Sequence, residues 1–297
     1  MKCLVTGAAG FIGGQLATHL RQQGWQVFVD AEQGHSGTTR RWPLTEASLG
    51  EVMGAAVPDV ILHAAGSGTV AKVAANPALE LPANLGAFLS VLQYAQAKAP
   101  KARVVLLSSA ALYGNAPAVP QREDETRAPV SLYGVAKAQA EQLADYYARQ
   151  QGTQATVIRF FSVYGPGLRK QLLWDAMLKF GAGQNEFFGT GHEQRDWVHI
   201  DDVCRFIDHL LAVPQRQAIE IYNCAGSPAS TVEVLTQLAA AAGAPAPRFN
   251  GRTRPGDPLC LVADCSLAQR QLGWRAQVEW REGVAAYAKW FAQEARK

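Results

Sequence analysis

The sequence predicts an α/β fold: a doubly wound parallel sheet covered by helices, with a smaller C-terminal lobe. Three observations carry that expectation. Short apolar runs alternate with amphipathic stretches from Lys2 to Phe160, the pattern of strands buried on both faces between helices. A glycine-rich turn, Gly7 to Gly13, follows the first run directly. Beyond about residue 162 the alternation becomes irregular, with glycine-rich stretches at 165–167, 181–191 and 251–256. The expected division is therefore 1–162 for a dinucleotide-type domain and 163–297 for the lobe, with 219–224 returning to the main sheet.

Each element has its own signal. Lys2 to Thr6 reads as a strand, and Leu16, Ala17 and Leu20 recur at helical spacing until Gly24 stops the helix. Trp25 to Asp30 is a second strand, apolar until its final acid. A helix after Thr45 leads to Val60-Ile61-Leu62, a buried strand that ends at His63-Ala64-Ala65. Residues 83–98 form the next helix, with Pro82 near its start and Pro100 beyond its end. Val104 to Leu107 is a strand ending in Ser108-Ser109, 133–150 a helix, and Thr156 to Phe160 one more strand. The alanine run at 239–242 and Ala-Pro-Ala-Pro at 244–247 read as a helix end and its loop.

Composition narrows the function. The 297 residues carry 28 Lys plus Arg and 25 Asp plus Glu, a net charge of +3, which argues against nucleic acid as a partner. With 48% hydrophobic and 18% charged residues, disorder is excluded as the main state. No apolar run reaches the roughly 18 residues of a membrane span. Residues 2–7 already read as a strand and turn, so no signal peptide is expected. The five cysteines, Cys3, Cys204, Cys224, Cys260 and Cys265, are scattered without metal-ligand or disulfide-framework spacing. Reduced, mostly buried thiols in the cytoplasm are expected, with no metal.

Gly7-Ala8-Ala9-Gly10-Phe11-Ile12-Gly13 sits between a strand and a helix. Backbone amides in such a turn approach a pyrophosphate closely, and the helix N-terminus favours its charge. The spacing is G-x-x-G-x-x-G rather than the usual dinucleotide G-x-G-x-x-G. Asp30, twenty residues after Gly10, ends the second strand. An acid there accepts from the adenosine ribose and repels a 2′-phosphate, so NAD is the expected cofactor. Arg40 and Arg41 keep NADP as the alternative, since guanidinium groups suit a phosphate.

Tyr133 and Lys137 stand four apart on one helix face. A free phenol titrates near pH 10 and is a poor base at neutrality, so a phenol working there needs a nearby cation. A second Y-x-x-x-K, Tyr94 with Lys98, lies among Phe88, Val91, Leu92 and Ala95 and reads as structural. Ser109 follows its strand at the carboxyl end, where open α/β sheets present ligands, although a serine pair there also serves ordinary turns.

Taken together these segments resemble the extended short-chain dehydrogenase/reductase superfamily, in its NAD-dependent epimerase/dehydratase branch. The resemblance runs through T-G-A-A-G-F-I-G at 6–13, H-A-A at 63–65, S-S-A-A-L-Y-G at 108–114 and Y-G-V-A-K at 133–137. It continues through V-Y-G-P-G at 163–167, R-D-W-V-H-I-D-D-V at 195–203, Y-N at 222–223 and R-P-G-D at 254–257. It implies a Rossmann-type sheet and a catalytic set of Ser109, Tyr133 and Lys137. Cofactor contacts are then implied at Gly7, Gly10, Phe11, Ile12, Gly13, Asp30, Ala64, Ala65, Tyr133 and Lys137. Substrate contacts are implied at Ser109, Ser162, Arg195 and Arg254, the two arginines on the diphosphate of a UDP-, GDP- or dTDP-linked sugar. A homodimer through the helices of 83–98 and 133–150 is also implied.

Departures from the pattern refine the activity. Ala110 and Ala111 stand where the 4,6-dehydratases carry an Asp–Glu pair, so water elimination lacks its second proton-transfer group. Ser162 replaces a common Asn, and Pro43 an Asp that often meets adenine. The leading expectation is a nucleotide-sugar 4-epimerase acting through a transient 4-keto sugar, with Tyr133 as acid and base. A 4-keto-6-deoxysugar reductase is the alternative, favoured by the compact length and Arg40/Arg41; a non-catalytic nucleotide sensor is the third, disfavoured by the intact Ser109, Tyr133 and Lys137.

Overall fold

The computed structural model describes residues 1–33, 39–41, 44–66, 69–115, 119–252 and 258–294. The chain forms two compact units, the first built from Met1–Leu112, Ser131–Arg159 and Val213–Tyr222. In this unit β1 (Lys2–Thr6) enters the glycine turn and α1 (Phe11–Gln22), whose buried face is Gly13, Leu16, Ala17 and Leu20. After β2 (Gln26–Val29), a short hairpin of β3 (Ala31–Gln33) and β4 (Thr39–Arg41) precedes α2 (Glu46–Met53). Thr45 and Ser48 cap α2 reciprocally, side chain to backbone in both directions. There follow β5 (Val60–His63), α3 (Val70–Ala75), α4 (Pro77–Lys98), β6 (Arg103–Ser109), α5 (Leu132–Gln151) and β7 (Gln154–Phe160).

α4 starts six residues before the expected 83, at Pro77. A proline is at home at the first helical position, where its missing N–H has no intrahelical acceptor, and Asn76 precedes it as the cap residue. Pro82 thus lies inside the helix rather than near its start. Tyr94 is buried on α4 and packs in the core with Phe88 and Leu92, in keeping with a structural role for that tyrosine.

The second unit comprises Tyr113–Val130, Phe160–Ala212 and Asn223–Lys297. It holds β8 (Ser162–Tyr164), α6 (Gln171–Gly181), β9 (Glu186–Phe187), β10 (Gln194–His199) and α7 (Ile200–Ala212). The chain then passes through β11 (Ile219–Cys224) into β12 (Ser227–Ser230), α8 (Thr231–Ala242), β13 (Arg248–Phe249), β14 (Cys260–Leu261), α9 (Ser266–Leu272) and α10 (Trp280–Glu294). The division is interleaved rather than a single cut near 162. Tyr113–Val130 joins the second unit because Gln121 N donates to Val262 O and Gln121 O accepts from Asp264 N. The side chain of Asn223 ties in the same segment, donating to Gln121 O and accepting from Tyr113 Oη.

The main sheet has the order β11-β7-β6-β5-β1-β2, with β1 parallel to both neighbours and β5 parallel to β6. The order reverses between β1 and β5, the point at which open α/β sheets take ligands at the carboxyl ends of their strands. In the second unit β10 lies between β12 and β14, with β8 paired to it as well, Ser162 opposite Trp197. Leu4, Ile61, Phe88, Leu92, Val104, Leu106 and Val157 form the core beneath the main sheet. At roughly 25 cal/mol per Å² of apolar area, it is this burial that holds helices and sheet together.

Candidate active site

The glycine turn is shaped by what it must approach. Gly7 adopts φ +77°, a conformation L side chains rarely take, and a Cβ there would lie 2.5 Å from Ala64 C and Ala65 N. A Cβ on Gly13 would lie 2.4 Å from Gly7 O, and one on Gly10 3.1 Å from the same oxygen. The turn is thus a backbone-only surface packed on Ala64 and Ala65, leading into α1 with Phe11 and Ile12 as its first residues. No side chain caps α1, so its first amides remain available to an anion.

Asp30 closes this cradle. Its carboxylate accepts from Gly7 N at 2.7 Å and from Ala8 N at 3.1 Å. Each carboxylate oxygen retains a further lone pair, which leaves capacity for a ribose hydroxyl. Asp30, Gly7, Gly13, Ala64 and Ala65 therefore come together as one group. A dinucleotide fits it on chemical grounds: amides for a pyrophosphate, an acceptor for a ribose diol, and no Cβ in the way. Arg40 and Arg41 contribute backbone to β4, their side chains falling outside the described residues, as does Pro43.

Tyr133 and Lys137 occupy the first turns of α5, whose start is fixed by Ser131, its hydroxyl accepting from Gly134 N. Lys137 Nζ lies 5.8 Å from the Tyr133 ring centroid and donates to Leu107 O at 2.9 Å. That bond anchors the ammonium to the end of β6. Ser109 is the last residue of β6, half-buried, and its hydroxyl accepts from Ala111 N at 3.2 Å. That contact leaves its proton free for another acceptor. Ala110 and Ala111 form the short 3-10 turn that follows, offering no ionisable group.

His63 sits at the end of β5, buried, its Nδ1 2.8 Å from Thr6 Oγ1 and its ring 5.0 Å from that of Phe88 at a tilt of 31°. Burial first, and then the field of Lys137, push its pKa down to about 3. The imidazole is therefore neutral near pH 7 and adds no competing cation beside Lys137.

Sequence reasoning missed one group. Ser108 Oγ donates to Glu141 Oε1 at 2.7 Å, and Arg159 grips the same carboxylate through Nε at 3.1 Å and Nη2 at 2.8 Å. A charge inside the otherwise apolar strand 156–160, and an acid four residues after Lys137, were the available signals.

In the second unit, Arg195 and Ser162 lie on the adjacent strands β10 and β8. Arg195 is half-buried and donates through Nη1 to Gln194 O at 2.8 Å. Its neighbour Asp196 is buried, accepts from Ala263 N at 3.2 Å, and has its pKa pushed up to about 6, chiefly by burial. Arg254 lies outside the described residues.

Known proteins resemble this chain over its whole length. The probable UDP-glucuronate 4-epimerase of Rhizobium meliloti (strain 1021) is 29% identical, over 100% of this chain and 98% of its own. The UDP-glucose 4-epimerase of Mycolicibacterium smegmatis (strain ATCC 700084 / mc(2)155) is also 29% identical, over 100% of each chain. Among solved structures, MoeE5 in complex with UDP-glucuronic acid and NAD superposes with a TM-score of 0.87 at 31% identity, covering 99% of this chain and 100% of that one. The sequence profile of the NAD dependent epimerase/dehydratase family matches residues 3–225, and the chain belongs to that family.

Proposed function

We infer that the protein is an NAD-dependent 4-epimerase of a nucleotide-linked sugar, with UDP as the nucleotide. The observation that carries the reading is the Tyr133–Lys137 pair on α5, held against the end of β6 by the bond from Lys137 Nζ to Leu107 O, with Ser109 ending that strand. The relatives described above are named as UDP-sugar 4-epimerases, which supports UDP over GDP or dTDP.

Gly7, Gly10, Phe11, Ile12 and Gly13 would hold the pyrophosphate of NAD, and Asp30 its adenosine ribose, with Ala64 and Ala65 behind them. Lys137 would hold the nicotinamide ribose, and Tyr133 would meet the substrate. When bound, NAD would supply the hydride acceptor for sugar C4 and the donor that restores hydrogen on the opposite face. Tyr133 takes the proton from the C4 hydroxyl as it is oxidised and gives it back on reduction. Lys137, tied to Leu107 O, keeps its ammonium beside the Tyr133 ring. Ser109 donates to the C4 oxygen and keeps it within reach of the phenol. Arg195, Arg254 and Ser162 serve the sugar nucleotide, a guanidinium fork being suited to diphosphate oxygens.

Five free thiols among the described residues suit a reducing cytoplasm. No described helix is long and apolar enough to cross a membrane. The homodimer expected through α4 and α5 belongs to this reading, with Leu79 and Tyr146 exposed on those helices.

The test is incubation of the purified protein with UDP-glucuronic acid or UDP-glucose and trace NAD. Appearance of the C4 epimer without net NADH is expected; stoichiometric NADH or NADPH consumption with a 4-keto sugar identifies the reductase instead.

A further inference from the structure

Behind Ser109 the first unit buries a complete ion pair. Glu141 and Arg159 are 0% and 1% exposed at their side chains and joined at 2.8 Å. Charges in such a place need a reason, because well-packed apolar residues of the same volume are commonly as stable or more so. The surroundings supply one. Tyr133, Lys137 and Glu141 follow one another at four-residue spacing along one face of α5. Two of the three reach across to consecutive residues of β6. Lys137 Nζ takes Leu107 O, and Glu141 Oε1 takes the Ser108 hydroxyl at 2.7 Å. Ser109 is next in the strand. Arg159, from β7, fixes the carboxylate with two bonds, so Glu141 cannot swing away from Ser108.

We propose that the Glu141–Arg159 pair is a positioning device, which through Ser108 sets the distance between Ser109 on β6 and Tyr133 on α5. None of the three residues touches the reacting atoms; they act through Ser109 and Lys137. The inference rests on the reading of Ser109, Tyr133 and Lys137 as the reacting set.

Two variants test it, Ser108→Ala and Glu141→Met/Arg159→Met. The second replaces the pair with apolar side chains of similar length and is expected to melt at or near the wild-type temperature. With either, kcat for 4-epimerisation falls about tenfold while KM for the UDP-sugar and the content of bound NAD stay unchanged, as expected when a small misplacement degrades the chemical step alone. A double variant of wild-type melting temperature that also keeps wild-type kcat reduces the pair to a structural tie and overturns the proposal. If the double variant does not fold, unchanged kcat in Ser108→Ala overturns it equally. Crystal structures of the wild type and Ser108→Ala supply a readout without turnover. A Ser109 Oγ to Tyr133 Oη distance changed by about 0.5 Å supports the device, and an unchanged distance contradicts it. If the wild type turns over no nucleotide sugar, the functional reading fails, and the measured distance still decides this one.

Discussion

At the scale of single residues, Tyr133 is the proposed acid and base. Tyr133→Phe keeps the ring beside Lys137 and removes only the transferable proton. Its kcat is expected to fall by about 10³-fold or more, by the measure of removing one essential acid–base group, with bound NAD retained. Residual turnover within tenfold of wild type would place the proton transfer elsewhere. Asp196 offers a prediction of a different kind. Its carboxyl, raised to about 6, favours the protonated form in the folded state more than in the unfolded chain. The stability it allows is therefore full below the unfolded value of about 4 and is lost as pH rises through about 6, a loss of about 2–3 kcal/mol. Asp196→Asn keeps an acceptor for Ala263 N and cannot ionise. It should melt several degrees above wild type at pH 7 and lose that advantage near pH 4, as read by thermal melts across that range.

At the scale of elements, the glycine turn and α5 were the most legible parts of the sequence. Both declare themselves locally: glycines between an apolar strand and a helix, and a tyrosine and a lysine one helical turn apart. What stayed hidden depends on partners distant in the chain. The Ser108–Glu141–Arg159 cluster joins positions separated by 33 and 18 residues, and Asp30 reaches Gly7 over 23. Pro82 misplaced the start of α4 because Pro77, five residues earlier, gives the same signal at the better position. The turn itself makes a direct prediction. A methyl at Gly13 would lie 2.4 Å from Gly7 O and must displace backbone rather than a flexible side chain. Gly13→Ala should lose bound NAD at least tenfold and about 1–3 kcal/mol of stability, as overpacked sites do. Equilibrium dialysis with NAD and a thermal melt check both. Asp30→Asn should also weaken NAD. A dinucleotide lacking the adenosine 2′-hydroxyl should still bind worse to it than to wild type, since the carboxylate accepts from the amides of the turn.

At the scale of the whole molecule, the strand–helix alternation from Lys2 to Phe160 announced the parallel sheet. The return of Ile219–Cys224 to its edge was readable from a short run in which Glu220 and Asn223 interrupt apolar residues. The interleaving of Tyr113–Val130 with the second unit was not, because that segment is irregular and charged, and its place is set by backbone bonds to Val262 and Asp264. The edge strand β11 is fastened by a buried pair, Arg103 Nη2 to Glu220 Oε2 at 2.9 Å. Breaking it with Arg103→Met leaves a buried carboxylate uncompensated and should cost about 3–5 kcal/mol in a denaturant titration.

The central claim joins this fold to one redox cycle closed on a single sugar carbon. Its most direct measurement is single-enzyme conversion of UDP-glucuronic acid or UDP-glucose labelled with deuterium at C4, using trace NAD and following product by mass spectrometry and NMR. The account predicts the C4 epimer with the label kept at C4 and no net NADH. Loss of the label to solvent, or conversion that stops once the trace NAD has all been reduced, would contradict it.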